Sequence, residues 1–188
     1  MIEILAALSG SAAAGMRIAL PLLLIGLLRD DLWSRVPFLS KIPPPVVVGV
    51  LVSWSLFELF ASKKLLGQRI LNIVQLICSP VVGAIIGMAI AMAMGLPERL
   101  LINLIGVTGG LLALVLQLVQ TGWFYRLRGL PIWVIFVQDA LCIALVLFAL
   151  DSPQQGGLIA MLLLWLAIRS YQDWYRWYKT GVKSGKPD

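Results

Sequence analysis

Long apolar runs alternate with short polar or proline-containing breaks along almost the whole chain. The runs fall at about 2–28, 44–62, 70–95, 99–124, 131–150 and 156–178. Each is near or above the ~20 residues that an α-helix needs to cross a bilayer. The pattern therefore predicts six membrane-spanning helices. The first is the least regular, because the stretch SGSAAAG can interrupt it.

The composition agrees with lipid as the solvent for most side chains. The 188 residues are 60% hydrophobic and 13% charged, whereas a soluble domain is about 45–50% apolar and about 25% charged. Histidine is absent, and Cys78 and Cys142 both lie in apolar runs. We therefore expect no metal site and no cofactor. No P-loop, GxSxG motif or closely spaced pair of catalytic carboxylates occurs, so we predict that the protein is not an enzyme.

The basic residues are unevenly divided between the predicted loops. Ten of the 15 Lys and Arg residues fall in the second loop, the fourth loop and the C-terminal end, while four fall in the other loops. The positive-inside rule then places both termini in the cytoplasm. We predict an all-α, polytopic transmembrane bundle of about six helices, in a prokaryotic inner membrane or a thylakoid membrane. The net charge of +6 reflects this topology, and no nucleic-acid partner is expected.

Small residues recur at every fourth position on three of the predicted helices. They are Gly10 and Ala14 on the first helix, Gly83 and Gly87 on the third, and Gly106 and Gly110 on the fourth. Such spacing lets helix backbones approach closely in lipid, so we predict that these three helices form a tight core. An alternative remains open, in which SGSAAAG is an ion site in a broken helix of the kind some transporters use.

A few polar side chains interrupt the apolar helices, mostly in the half of the bundle assigned to the cytoplasm. A charge at membrane depth costs at least a few kcal/mol and needs a partner, so we expect these groups to face one another. The candidates are Arg17, Glu58, Lys63, Asn72, Gln75, Gln117, Gln120 and Asp139. Arg17 and Asp139 lie at the most similar depth, so we predict that they pair. Glu58 is expected to meet Lys63 or the amides.

Two stretches also resemble a known family. LSGSAAAGMRIALPLLLIGLL and FELFASKKLLGQRILNIVQLICSPVVGAIIG resemble the signatures of small prokaryotic multi-pass membrane proteins, domain of unknown function family 4126. Within the second stretch, Glu58, Lys63 and Pro80 match the family pattern. Asn72 stands where the pattern expects an acid, and Ser79 where it expects arginine. The resemblance implies a membrane fold and gives weight to Arg17, Glu58 and Lys63, but it implies no substrate.

The resemblance covers about the first 120 residues. We therefore divide the chain into a family-like core of four helices, 1–125, and a two-helix extension, 126–188. The extension ends in an amphipathic aromatic segment, in which Tyr171, Trp174 and Tyr178 form a helical stripe. Such a stripe is typical of a helix end anchored among lipid headgroups, and a docking surface for a partner is the alternative.

The polar residues support more than one function. A structural ion pair that fixes the order of the helices is the simplest interpretation. Beyond it, we predict a protein that binds or passes a small solute or ion through a polar cleft facing the cytoplasm. The alternative is a non-catalytic accessory or assembly subunit of a larger membrane complex. The lipid bilayer is the expected partner in both cases, and homo-oligomer formation stays open.

Overall fold

Every regular element in the described part of the chain is an α-helix. The computed structural model describes residues 1–28, 43–61, 65–96, 98–127 and 132–183. Its helices are α1 (Ile2–Ala14), α2 (Ala19–Leu28), α3 (Pro44–Ala61), α4 (Leu65–Ala93), α5 (Arg99–Leu127), α6 (Ile132–Asp151) and α7 (Pro153–Lys183). Segments of α4, α5 and α6 are long and apolar enough to cross a membrane. The predicted all-α membrane bundle is therefore confirmed.

The short helix α1 forms the centre of the bundle. It packs against α4, α5, α6 and α7, and every residue from Ser9 to Ala14 is buried. Its 13 residues extend only about 20 Å at 1.5 Å per residue, which is less than the hydrocarbon thickness of about 30 Å. Because no side chain in this stretch is large, neighbouring helices come close to its backbone. The hydroxyl of Ser11, for example, donates to the carbonyl of Gly83 at 2.9 Å.

Glycines lie where the helix backbones approach each other most closely. A Cβ atom added at Gly15 would lie 2.8 Å from the Cα atom of Ala113, and one added at Gly110 would lie 2.7 Å from the carbonyl oxygen of Pro80. No side chain larger than hydrogen fits at such distances from backbone atoms. The predicted tight core of the first, third and fourth helices, here α1, α4 and α5, is confirmed. Helix α7 joins it through Gly156, which lies against α1.

The first predicted helix is in fact two helices. Helix α1 ends at Ala14, the chain passes through residues 15–18 without helical structure, and α2 begins at Ala19. Pro21 gives a physical reason, since a proline ring inside a helix clashes with the carbonyl group four residues earlier, here that of Arg17. In the first turn of α2, Pro21 needs no helical hydrogen bond. The break begins at the last residue of the SGSAAAG stretch, and Arg17 lies in the break.

Hydrogen bonds between helices fix their directions. The Ser79 hydroxyl contacts the carbonyl of Ala14 and Ser11 contacts Gly83, so α4 runs antiparallel to α1. Helix α6 is also antiparallel to α1, since Ser9 bonds to Leu145 and Met16 bonds to Gln138.

Met1 therefore lies at the end of the bundle where α4 finishes, and α7 finishes at the opposite end. The prediction that both termini share the cytoplasmic side is wrong in this respect. It required the first and third predicted helices to be parallel, whereas α1 and α4 are antiparallel. Met1 and the start of α4 lie at opposite ends of the bundle, which corresponds to one net crossing between them in place of the two predicted.

Candidate functional site

The break between α1 and α2 holds an ion pair in the interior. Arg17 is only 7% exposed, and its Nε donates to Asp139 Oδ1 of α6 at 2.6 Å. A charge-assisted hydrogen bond of this length is among the stronger interactions in proteins. The predicted pairing of Arg17 with Asp139 is thus confirmed. It ties the non-helical residues of the break to α6.

A second carboxylate approaches the same guanidinium group. Glu58 of α3 is 3% exposed, and its Oε2 lies 3.9 Å from Nη1 of Arg17. The other oxygen, Oε1, accepts hydrogen bonds from Nε1 of Trp54 at 2.9 Å and from Nε2 of Gln75 at 3.2 Å. Glu58 therefore meets an amide, as expected. The alternative partner, Lys63, lies outside the described residues.

Neutral amides extend the polar cluster on both sides of the ion pair. On one side, Nε2 of Gln117 donates to Oε1 of Gln75 at 3.4 Å, which links α5 to α4. On the other, Nε2 of Gln138 donates to Oε1 of Gln120 at 2.8 Å and to the carbonyl oxygen of Met16 at 2.7 Å. The second bond satisfies a backbone acceptor that the helix break leaves free.

Most of the predicted polar residues come together in this cluster. Arg17, Glu58, Gln75, Gln117, Gln120 and Asp139 all take part in the contacts described above. Asn72 is buried one turn before Gln75 on α4. Trp54 was not predicted, although it precedes Glu58 by four residues and so shares its helix face. Ser79 was noted only as a departure from the family pattern, yet it caps the carbonyl of Ala14 at the break.

The centre of the cluster is buried, while Gln120, Gln138 and Asp139 at its edge are partly exposed. Gln117 is 1% exposed and Gln75 is 5% exposed, so the centre of the cluster is shielded by neighbouring helices. A cavity of about 230 Å³ lies between α5, α6 and α7 beside the cluster. Its lining is mainly apolar, with Gln120 and Gln138 as its polar members. The polar cleft that the sequence predicts at the cytoplasmic side stays a prediction.

The ionisable groups of the cluster, as far as the described residues go, do not balance. With all three ionised, one positive side chain, Arg17, faces two negative ones, Glu58 and Asp139. A net charge of −1 at membrane depth is costly unless something neutralises it. Within the described part of the chain, no group of three or more His, Cys, Asp or Glu side chains could hold a metal ion.

These features define an integral membrane protein with a central interrupted helix and a buried ionisable cluster. The chain belongs to the family described as domain of unknown function DUF4126, whose model matches residues 4–173. No curated protein matches the chain, and no solved structure matches it. The family match runs through α6 and into α7, so it includes helices that the sequence analysis assigned to an extension. Both helices also pack directly on α1.

Proposed function

We propose that this protein binds a small ion inside the membrane and passes it across, using the cluster at the α1–α2 break. The observation that carries the proposal is the position of Arg17, which sits in a helix break between the buried carboxylate of Glu58 and the partly buried carboxylate of Asp139. Interrupted helices at the centre of a membrane bundle are typical of transporter binding sites. Ionisable groups at membrane depth mark ion and proton pathways.

A purely structural role accounts for only part of the cluster. The pair of Arg17 and Asp139 is neutral as a unit, and such a pair alone could fix the arrangement of α1 and α6. Glu58 adds a buried charge, and among the described residues no second cation answers it. Since an unbalanced buried charge destabilises a fold, its presence favours a role in binding over a role in packing.

The amides indicate the route by which an ion reaches the cluster. Gln75 contacts Glu58 directly and Gln117 contacts Gln75, while the buried Asn72 lies one turn nearer to the end of the bundle where α4 begins. That end carries most of the basic residues of the sequence, so the positive-inside rule assigns it to the cytoplasm. The centre of the site is buried, so passage requires a movement, and the non-helical residues 15–18 are the natural hinge.

The proposal is tested by recording charge movement in reconstituted vesicles on a solid-supported membrane. Jumps in NaCl, in KCl and in pH are applied separately to the wild-type protein and to the variants Glu58→Gln and Glu98→Gln. Glu98 is an exposed carboxylate outside the cluster, so its variant is the matched control. We expect a current after at least one kind of jump in the wild type and in the control, and loss of most of it in Glu58→Gln.

Two results would contradict the proposal. One is the absence of current after every jump, from protein that is folded and correctly inserted. The other is a current that Glu58→Gln leaves unchanged. Purification in mild detergent with a partner protein at fixed stoichiometry, combined with absence of current, would favour the alternative function as an accessory subunit.

A further inference from the structure

We infer that the ion bound at this site is a proton and that Glu58 carries it, an inference that rests on the proposed function. The first argument is charge balance. A proton on Glu58 would leave the neutral pair of Arg17 and Asp139 in the interior, with no surplus charge. Asp139 is the less suitable carrier, because its Oδ1 already receives the 2.6 Å hydrogen bond from Arg17.

The charged groups around Glu58 support this assignment. Arg17 faces it from the helix break, and Asp139 of α6 lies on the far side of the same guanidinium group. Helix α2, which packs on α3, has no titratable residue. Helix α4 presents the neutral Gln75, while its Arg69 is exposed. Among the described residues, Arg17 is therefore the one cation near Glu58, and Asp139 competes for it.

The two oxygens of Glu58 are in different environments. Oε1 accepts both hydrogen bonds, from Trp54 and from Gln75. Oε2 has the 3.9 Å approach of Arg17 as its described polar contact, a distance beyond that of a hydrogen bond. A protonated carboxyl group has this same asymmetry, with one carbonyl oxygen that accepts and one hydroxyl oxygen. Oε2 is thus the atom that would hold the proton.

The donors around Glu58 do not suit a metal cation. Its described polar contacts are the nitrogen atoms of Trp54, Gln75 and Arg17, and each directs an N–H group or a positive charge toward the carboxylate. A hard cation requires several oxygen ligands in its shell, which the described contacts of Glu58 do not supply. A proton needs no such shell, because it forms a covalent bond to a single oxygen.

Proton binding would also act on the helix break. With Glu58 protonated, the guanidinium group of Arg17 is paired with one ionised carboxylate, that of Asp139. When the proton leaves, the two carboxylates share Arg17, and Glu58 draws it away from α6 toward α3. Since Arg17 lies among the non-helical residues between α1 and α2, this shift moves the hinge. Uptake and release of the proton are thereby coupled to the position of the break.

Infrared difference spectroscopy of the reconstituted protein tests the inference directly. A pH step should change the carbonyl-stretch band of a protonated carboxylic acid in the wild type and in Glu98→Gln. The band should be lost in Glu58→Gln. It should also be lost in Asp139→Asn, because Arg17 then has only Glu58 to balance it and Glu58 stays ionised. The Glu58→Asp variant should keep a band at a shifted frequency, which covers the case that Glu58→Gln does not fold.

The outcomes separate this inference from the proposed function. A band that persists in Glu58→Gln, or one that Asp139→Asn leaves unchanged, overturns the assignment of the proton to Glu58. Currents driven by Na⁺ or K⁺ jumps but not by pH jumps would also overturn it, while the proposed ion passage would stand. A band with the expected variant pattern but no current after any jump would support the proton site and contradict the passage.

Discussion

At the scale of single residues, Arg17 holds the interior together. Its guanidinium group is the one described cation in contact with the buried carboxylates, and it lies where the backbone is not helical. Removing either member of a buried pair leaves an uncompensated charge, which costs more than the pair itself contributes. The loss of stability should therefore be small when both members are removed together and large when only one is removed.

A double-mutant cycle on the pair tests this expectation. Arg17→Gln alone should lower the free energy of unfolding by about 3–5 kcal/mol, the cost of stranding a buried charge. Asp139→Asn alone should lower it by less, because Glu58 then balances Arg17. The double variant should lose clearly less than the sum, because the two residues are coupled. The measurement is unfolding in mixed micelles with increasing sodium dodecyl sulfate. Arg69→Gln, at an exposed position on α4, is the control and should stay within about 0.5 kcal/mol of the wild type.

Additive losses in the double variant would show that Arg17 and Asp139 act independently. The geometry of the 2.6 Å contact would then have no energetic consequence. A loss in Arg69→Gln as large as that in Arg17→Gln would indicate a general effect of removing arginine and would equally contradict the expectation.

The sequence was sufficient for part of this site. Matching the depths of ionisable residues along apolar runs predicted the pairing of Arg17 with Asp139, because depth follows from residue count alone. The partners of Glu58 depend on how each helix is rotated about its axis, and the apolar pattern here is too uniform to fix that rotation. Trp54 was therefore missed. The bond from Gln138 to Met16 depends on a carbonyl that is free only because the helix breaks at that point.

At the scale of elements, glycine contacts decide which helices form the core. Helix α5 contains the informative comparison, because Gly110 meets the carbonyl oxygen of Pro80 whereas Gly122 has nothing within 4 Å of an added Cβ atom. The same residue type thus serves close packing at one position and has no packing role at another. Sequence spacing identified the packed glycines, since they recur at every fourth residue. It could not show that the backbone of Pro80 is the group against which Gly110 packs.

Alanine substitutions at these two positions should have opposite effects. Gly110→Ala should lower the free energy of unfolding by about 1–3 kcal/mol, because an atom forced against a backbone must separate α4 from α5. Gly122→Ala should raise it by about 0.5–1 kcal/mol, the gain from replacing glycine in a helix. Both are measured in the same mixed-micelle titration. Equal effects at the two positions would contradict the packing argument.

At the scale of the whole molecule, the helix directions place the chain termini at opposite ends. Met1 lies at the end where α4 finishes and α5 begins, together with Glu98 and Ser152, and α7 finishes at the other end. The distribution of charge agrees with this arrangement. Among the described residues, Arg99 is the basic residue beside the first of these ends, whereas Arg69 and Arg126 lie in the helix turns near the second. From the positive-inside rule we therefore expect the end of α7 to be cytoplasmic.

Single cysteines introduced at the two ends test the topology in intact cells. In a background with Cys78→Ala and Cys142→Ala, a membrane-impermeant maleimide should label Ile2→Cys and Glu98→Cys from outside the cell. It should label Lys183→Cys, at the last residue of α7, only after the membrane is permeabilised.

The decisive site is Ile2→Cys, because an even number of crossings would place it on the same side of the membrane as Lys183→Cys. Labelling of both only after permeabilisation would restore the six-pass topology and contradict the antiparallel packing of α1 and α4. Labelling of Ile2→Cys from outside would instead show that the chain makes a single net crossing between Met1 and the start of α4. Arg17, in the break between α1 and α2, then lies inside the membrane as the structure describes.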